Sequence, residues 1–207
     1  MIENNINSNL DISFTNPKLL YRLKNGGGKK QLIAKACGLQ YLKNPLIIDS
    51  CAGFGVDSFI LAALGAKVTM IERNQHIHSL LEKALLAAKE HKDVMKIITN
   101  ISLIYGDAIS LLNNYTADII YLDPMFPPKN NSALNKKNMR LIKEIVGEDN
   151  DAEQLLDIAL KKAIYRVVVK RPIEAQEIKN SRKVDLKLNG KANRFDIYIN
   201  KSVIKNY

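Results

Sequence analysis

The sequence predicts an α/β fold: a doubly wound, mostly parallel sheet with an antiparallel hairpin strand at its C-terminal end. From Leu46 onward, short and nearly continuous Val/Ile/Leu runs alternate with helix-periodic stretches. Strands of that kind are buried on both faces, as in a parallel sheet covered by helices. Glycines and acids recur just after these runs, where open α/β sheets bind their ligands. The last two β-rich runs are separated by Asn189-Gly190, a hairpin signal.

The elements follow in order. LIID (46–49) precedes the apolar-periodic SFILAALG, and KVTMIE (67–72) precedes a long helix over HIHSLLEKALLAAKEH. SLIYG (102–106) leads to the short helical AISLLNN, and DIIYLD (118–123) to a loop and two helical segments across 135–163. YRVVVKRP (165–172), VDLKL (184–188) and RFDIYI (194–199) complete the strands. Residues 1–45 read as a small appendage with a candidate strand at LDISF, a helix from Pro17 to Lys24, a Gly-rich joint and a helix to Gly38. Residues 46–207 form the main domain.

At 207 residues the chain has room for one sizeable core. No run of eighteen apolar residues is present to span a membrane. MIENNINSNLDISF places acids and asparagines where a secretory signal would be basic and then apolar, so a cytoplasmic protein is expected. Cys37 and Cys51 lie among apolar or small residues without metal-ligand spacing and read as buried or half-buried thiols. His76 and His78 are two apart and share no helix face, so no metal is expected. Gly26-Gly27-Gly28-Lys29 is not a P-loop, because Gln31 stands where Ser or Thr would hold magnesium.

The net charge of +10 is unevenly placed: residues 161–207 hold 13 Lys and Arg against 4 Asp and Glu. A one-sided basic excess concentrates polyanions, which makes nucleic acid a candidate partner.

Asp49-Ser-Cys-Ala-Gly53-Phe-Gly55 follows the first core strand and opens a helix. Glycines there allow close backbone approach, and a helix start presents free N–H groups. Ser58 occupies the third-glycine position of a dinucleotide fingerprint, and Asp49 would repel a pyrophosphate while attracting the cationic amino group of S-adenosylmethionine. Glu72 ends the second strand, where a carboxylate can accept both ribose hydroxyls; Asp107, after the third, would lie near the adenine.

Asp123-Pro124-Met125-Phe126-Pro127-Pro128 follows the fourth strand. The amine of a nucleobase is a poor nucleophile, because its lone pair is delocalised into the ring. A carboxylate accepting its N–H protons can orient it, and an aromatic ring can stack on the base. Asp123 and Phe126 supply those roles, in a segment resembling the Asp-Pro-Pro-Tyr/Phe loop of amino-group methyltransferases, with Met125 in place of the second proline. Lys129, Lys136, Lys137, Arg140 and Lys143 follow this loop, and Lys170 and Arg171 end the next strand. Together they flank the site where RNA phosphates could be held.

IDSCAGFGVDSFILAALGAKVTMIERN, YLDPMFPPKNNSALNKKNMRLIKEIVG, YRVVVKRP, RFDIYI and the upstream GGGKKQLIAKACGL together resemble the bacterial ribosomal RNA small-subunit methyltransferase J family. The resemblance spans roughly residues 26–199 in the family's order. It implies a class I (Rossmann-like) methyltransferase that uses S-adenosylmethionine to make N2-methylguanosine in 16S ribosomal RNA, free or in the small subunit. It also implies cofactor contacts at Val56, Asp57, Glu72, Arg73, Asp107, Ala108 and Asp123. The N-terminal region is shorter than in the longer members. Asp107-Ala108 also stands where some members carry a small hydroxyl pair.

The residues alone reach only a nucleobase amino methyltransferase; guanine, N2 and 16S RNA come from the resemblance. An amino methyltransferase acting on another RNA or DNA base, and a non-catalytic RNA-binding assembly factor, are the alternatives. A nicotinamide oxidoreductase is disfavoured by the missing third glycine.

Overall fold

The computed structural model describes residues 11–124 and 151–203. Its helices are α1 (Pro17–Asn25), α2 (Leu32–Ala36), α3 (Val56–Ala63), α4 (Gln75–Lys89), α5 (Lys92–Ile98), α6 (Ala108–Leu111) and α7 (Ala152–Lys162). The strands are β1 (Leu46–Asp49), β2 (Lys67–Glu72), β3 (Ile101–Tyr105), β4 (Ala117–Leu122), β5 (Ala163–Pro172), β6 (Leu186–Asn189) and β7 (Asn193–Ile199).

They form one sheet in the order β3-β2-β1-β4-β5-β7-β6. β3 through β5 are parallel, and β7 runs antiparallel to both β5 and β6. The chain moves outward from β1 to β3 and then crosses back to β4 on the other side of β1. The strand order therefore reverses between β1 and β4, where a crevice opens at the carboxyl ends.

Strand alternation divides the core in two. Ile47, Ile119, Tyr121 and Val168 face a cluster under α1 to α5, whereas Ile48, Ile120, Leu122, Val167 and Val169 face a cluster with α6 and α7. Each fully buried aliphatic side chain contributes about 1.5–3 kcal/mol, so a one-residue register slip would exchange the two sets at prohibitive cost.

Local signals set the helix starts. Asn16 caps α1 by accepting from Lys18 N at 2.9 Å, with Pro17 as the first helical residue. Asn74 caps α4 by accepting from His76 N and Ile77 N. Ile77, Leu81, Ala84 and Ala88 then form the buried stripe of α4.

Two local expectations change. LDISF is not a strand in its described part: Ile12 and Phe14 are buried while Asp11 and Ser13 are exposed, a period of two without a partner strand. Phe14 instead stacks on Phe59 of α3, ring centroids 5.1 Å apart. The helix expected to end at His91 is followed by the unanticipated α5, which His91 precedes and which buries Val94 and Ile98. The segment before β1 shares the core, since Phe14, Leu19, Ile33 and Ala34 join the cluster containing Ile47 and Phe59.

Candidate active site

A cavity of about 530 Å³ lies at the carboxyl ends of the strands, lined by Asp49, Gly53, Val56, Asp57, Glu72, Arg73, Asp107, Ala108, Asp123 and Pro124. Pockets of this size hold small ligands and cofactors. Sequence-distant residues meet here because the strand order reverses beside β1.

The loop after β1 is held from within. Asp49 is 2% exposed, and its carboxylate accepts from Ser58 Oγ at 2.6 Å and Cys51 N at 3.2 Å. Burial pushes its pKa up to about 7, against the lowering effect of those two hydrogen bonds and with added repulsion from Asp57 and Asp123. Asp49 thus organises the loop from the cavity wall, with both oxygens already accepting.

Glu72 plays a matching part from β2: Oε2 accepts from Gly53 N at 2.9 Å and Oε1 from Asn74 N at 2.7 Å. A carboxylate offers about four acceptor positions, so ribose hydroxyls can still be received. Gly53 has φ +52, and a Cβ there would meet nothing nearer than the Cys51 carbonyl oxygen at 4.0 Å. Gly55 faces away from the cavity: a Cβ there would lie 3.0 Å from both Phe14 and Leu81 at φ +68. Its glycine is required by core packing and the turn into α3.

Asp107 caps α6, accepting from Ile109 N at 3.3 Å and Ser110 Oγ at 3.2 Å. Arg73 bonds Asp151 at 2.6 Å, tying the end of β2 to the start of α7.

The densest electrostatic feature is centred on Lys170. Its ammonium lies 2.7 Å from Asp57 Oδ2 and 2.7 Å from Asp123 Oδ2. The buried Tyr121 hydroxyl also donates to Asp57 Oδ2 at 2.7 Å, and Arg22 Nη1 of α1 stands 4.0 Å from Asp57 Oδ1. Burial lowers the Lys170 pKa, but the two carboxylates outweigh it and hold it above its usual value. Burial, reinforced by the same acids, pushes the Tyr121 hydroxyl far up.

Lys170 therefore neutralises two site carboxylates, where an RNA phosphate contact was expected. Arg171 is 5% exposed and donates to the Gln176 carbonyl; burial and then the like charge of Arg194 lower its pKa to about 10. In this structure Lys170 is half-buried and engaged by two carboxylates, and Arg171 is buried. Phe126, Lys129, Lys136, Lys137, Arg140 and Lys143 lie outside the described residues.

Tyr121, Arg22 and the bridging role of Lys170 were not anticipated. Tyr121 was within reach, since it precedes Asp123 by two and strand residues two apart share a face. Lys170 depended on register: Leu122 pairs Val169, which sets Asp123 beside Lys170.

An acid-lined cavity at the reversal point of this sheet defines an α/β protein that binds a nucleoside-type cofactor. The chain matches the family described as "Putative SAM-dependent methyltransferase" over residues 2–200. It is 42% identical to ribosomal RNA small subunit methyltransferase J of Brucella anthropi, covering 93% of this chain and 94% of that protein. It is 45% identical to the protein of the same name from Dechloromonas aromatica, covering 94% and 80%. The crystal structure of a SAM-dependent methyltransferase from Neisseria gonorrhoeae superposes with a TM-score of 0.73 at 31% identity, covering 93% of this chain and 75% of that one. The chain belongs to the S-adenosylmethionine-dependent methyltransferases, in the family of ribosomal RNA small subunit methyltransferase J.

The donor set fits that cofactor. Carboxylates of Glu72, Asp107 and Asp123 suit a cationic ligand bearing ribose hydroxyls, and Phe54, Val56, Ile71 and Ile109 offer apolar surface to a flat base. Among the described residues, no helix is long and apolar enough to cross a membrane.

Proposed function

We propose that this chain methylates the exocyclic N2 amine of a guanosine in 16S ribosomal RNA, in the cytoplasm. The observation that carries the reading is the near full-length match to proteins named ribosomal RNA small subunit methyltransferase J. The guanine N2 specificity follows the resemblance carried by the loop beginning Asp123-Pro124 and by the segments around it.

S-adenosylmethionine supplies an electrophilic methyl group on a sulfonium. Glu72, which keeps Gly53 in place, would hold the ribose. Val56, Asp57, Arg73, Asp107 and Ala108 line the cavity, where Asp107 and Ala108 would border the adenine and the others would complete the cofactor's surroundings. Asp123 accepts from the target amine and orients its lone pair, and Phe126 stacks on the base. The proton leaves nitrogen readily once the new bond forms, so no strong general base is demanded. Basic residues after the loop, Lys129, Lys136, Lys137 and Arg140, hold phosphates.

The test is single-turnover transfer from labelled S-adenosylmethionine to small-subunit RNA, followed by nucleoside mass analysis. N2-methylguanosine is expected, with a rate that collapses in a folded Asp123→Ala, Phe126→Ala variant. A methylated adenine or cytosine, preference for DNA, or RNA binding without transfer would each replace the proposal.

A further inference from the structure

A second groove, of about 350 Å³, adjoins the cavity and shares Arg22, Asp57, Lys170 and Asn193 with it. One wall comes from the segment before β1, through Gln31, Leu32 and Ile33; the other comes from the β6–β7 turn, through Gly190, Lys191 and Ala192. The turn lies close against α2, since a Cβ on Gly190 would stand 3.1 Å from Leu32 Cδ1.

The groove's lining carries Arg22, Lys170 and Lys191 against Asp57. Residues 12–48 contain seven Lys and Arg and no Asp or Glu. Lys29 and Lys30, on the turn just before Gln31, are exposed, as is Lys191 across the groove. Gln31 directs Oε1 to Arg22 Nε at 3.2 Å, while its buried Nε2 has no partner among the described residues. A buried amide donor left unmet is unfavourable, and Gln31 lines the groove.

We propose that this groove binds the phosphodiester backbone of the RNA strand beside the target nucleotide. The segment before β1 and the β6–β7 turn then carry substrate up to the cavity, with Arg22 at the junction. This rests on the RNA-methyltransferase reading above. A strand lying here would enter the site from the side of Asp57 and Lys170, bringing its base towards Asp123. The charge complementarity favours a polyanion, and the groove's continuity with the cavity favours the substrate itself.

The test is a Lys29→Gln, Lys30→Gln, Lys191→Gln variant of the full chain. RNA affinity is measured by fluorescence anisotropy against salt concentration on a small-subunit RNA fragment, with S-adenosylmethionine affinity by calorimetry. Each phosphate contact to a single strand contributes about 0.7 to the slope of log affinity against log salt. The slope should therefore fall by about 2, and RNA should bind roughly tenfold more weakly at physiological salt. Cofactor affinity should not change. A control variant, Lys83→Gln, Lys89→Gln, Lys92→Gln on α4 and α5, should bind RNA as the wild type does. An unchanged slope and affinity in the groove variant would overturn the proposal, and so would an equal loss in the control. Wild-type transfer to the same RNA, measured in parallel, judges the substrate reading separately. A chain that binds RNA through the groove yet transfers no methyl group would sink that reading alone.

Discussion

Replacing Lys170 by Met keeps the aliphatic stem and removes the charge that joins Asp57 to Asp123. Each contact is 2.7 Å long, a bare attraction of about 6 kcal/mol at an effective dielectric constant of about 20. Desolvation of all three groups offsets most of it. Removing one partner of a buried pair costs about 3–5 kcal/mol, whereas exposed pairs contribute about 0.2–1 kcal/mol. Lys170 is 23% exposed between partners at 14% and 37%, so about 2 kcal/mol is expected. For a chain of this size that lowers Tm by about 4–8 °C. Tyr121 still donates to Asp57, so the loss should fall mainly on Asp123. A carboxylate displaced by about 1 Å can cost about 100-fold in rate, and a 10- to 100-fold fall in single-turnover methylation is expected. The Lys170→Arg variant keeps the charge and should recover part of the Tm. The raised Lys170 pKa means its contribution is complete at neutral pH and is lost only as pH climbs through that elevated value. Scanning calorimetry at pH 7 and 9 with single-turnover kinetics is the assay. Wild-type Tm and rate in Lys170→Met would refute the bridge, and a lowered Tm with an unchanged rate would confine Lys170 to a structural part.

Glu72→Ala should weaken S-adenosylmethionine binding at least tenfold, from a charge-assisted acceptor of about 1.5–3 kcal/mol; unchanged calorimetric affinity would remove Glu72 from the site. Burial raises the Asp49 pKa from 3.8 to about 7 on folding, so the native state holds the extra proton and stability should decline as pH rises between those values, by on the order of 4 kcal/mol in all. Asp49→Asn should flatten that slope in pH-dependent melts, and its cofactor affinity shows whether the carboxylate charge is needed. Gly55→Ala introduces a Cβ at φ +68 that meets Phe14 and Leu81 at 3.0 Å, so strain and overpacking of about 2–4 kcal/mol should lower Tm by roughly 5–15 °C. A melt within 2 °C of wild type would contradict that account.

The alternation of apolar strands with helices, the glycine loop after β1, Glu72 at the end of β2 and Asp123-Pro124 after β4 were all legible in the amino-acid sequence. Each is a local pattern: strand burial shows as composition, and a ligand loop shows as glycine and acid at a strand's end. What escaped that reading depends on which strands are neighbours. Lys170 looked like one more basic residue near a nucleic-acid site until β5 paired with β4 in the register that sets it beside Asp123. Gly55 had the same motif credentials as Gly53, yet one opens on the cavity and the other on the core, a distinction made by the packing of Phe14 and Leu81. LDISF carried the period of a strand, but its described residues spend their apolar side chains on the helix-side core, with Phe14 stacked on Phe59. Chain-local chemistry determined the fold class and the glycine loop after β1; the partners of each charge were decided by tertiary structure, because a side chain's electrostatic role depends on neighbours far away along the chain.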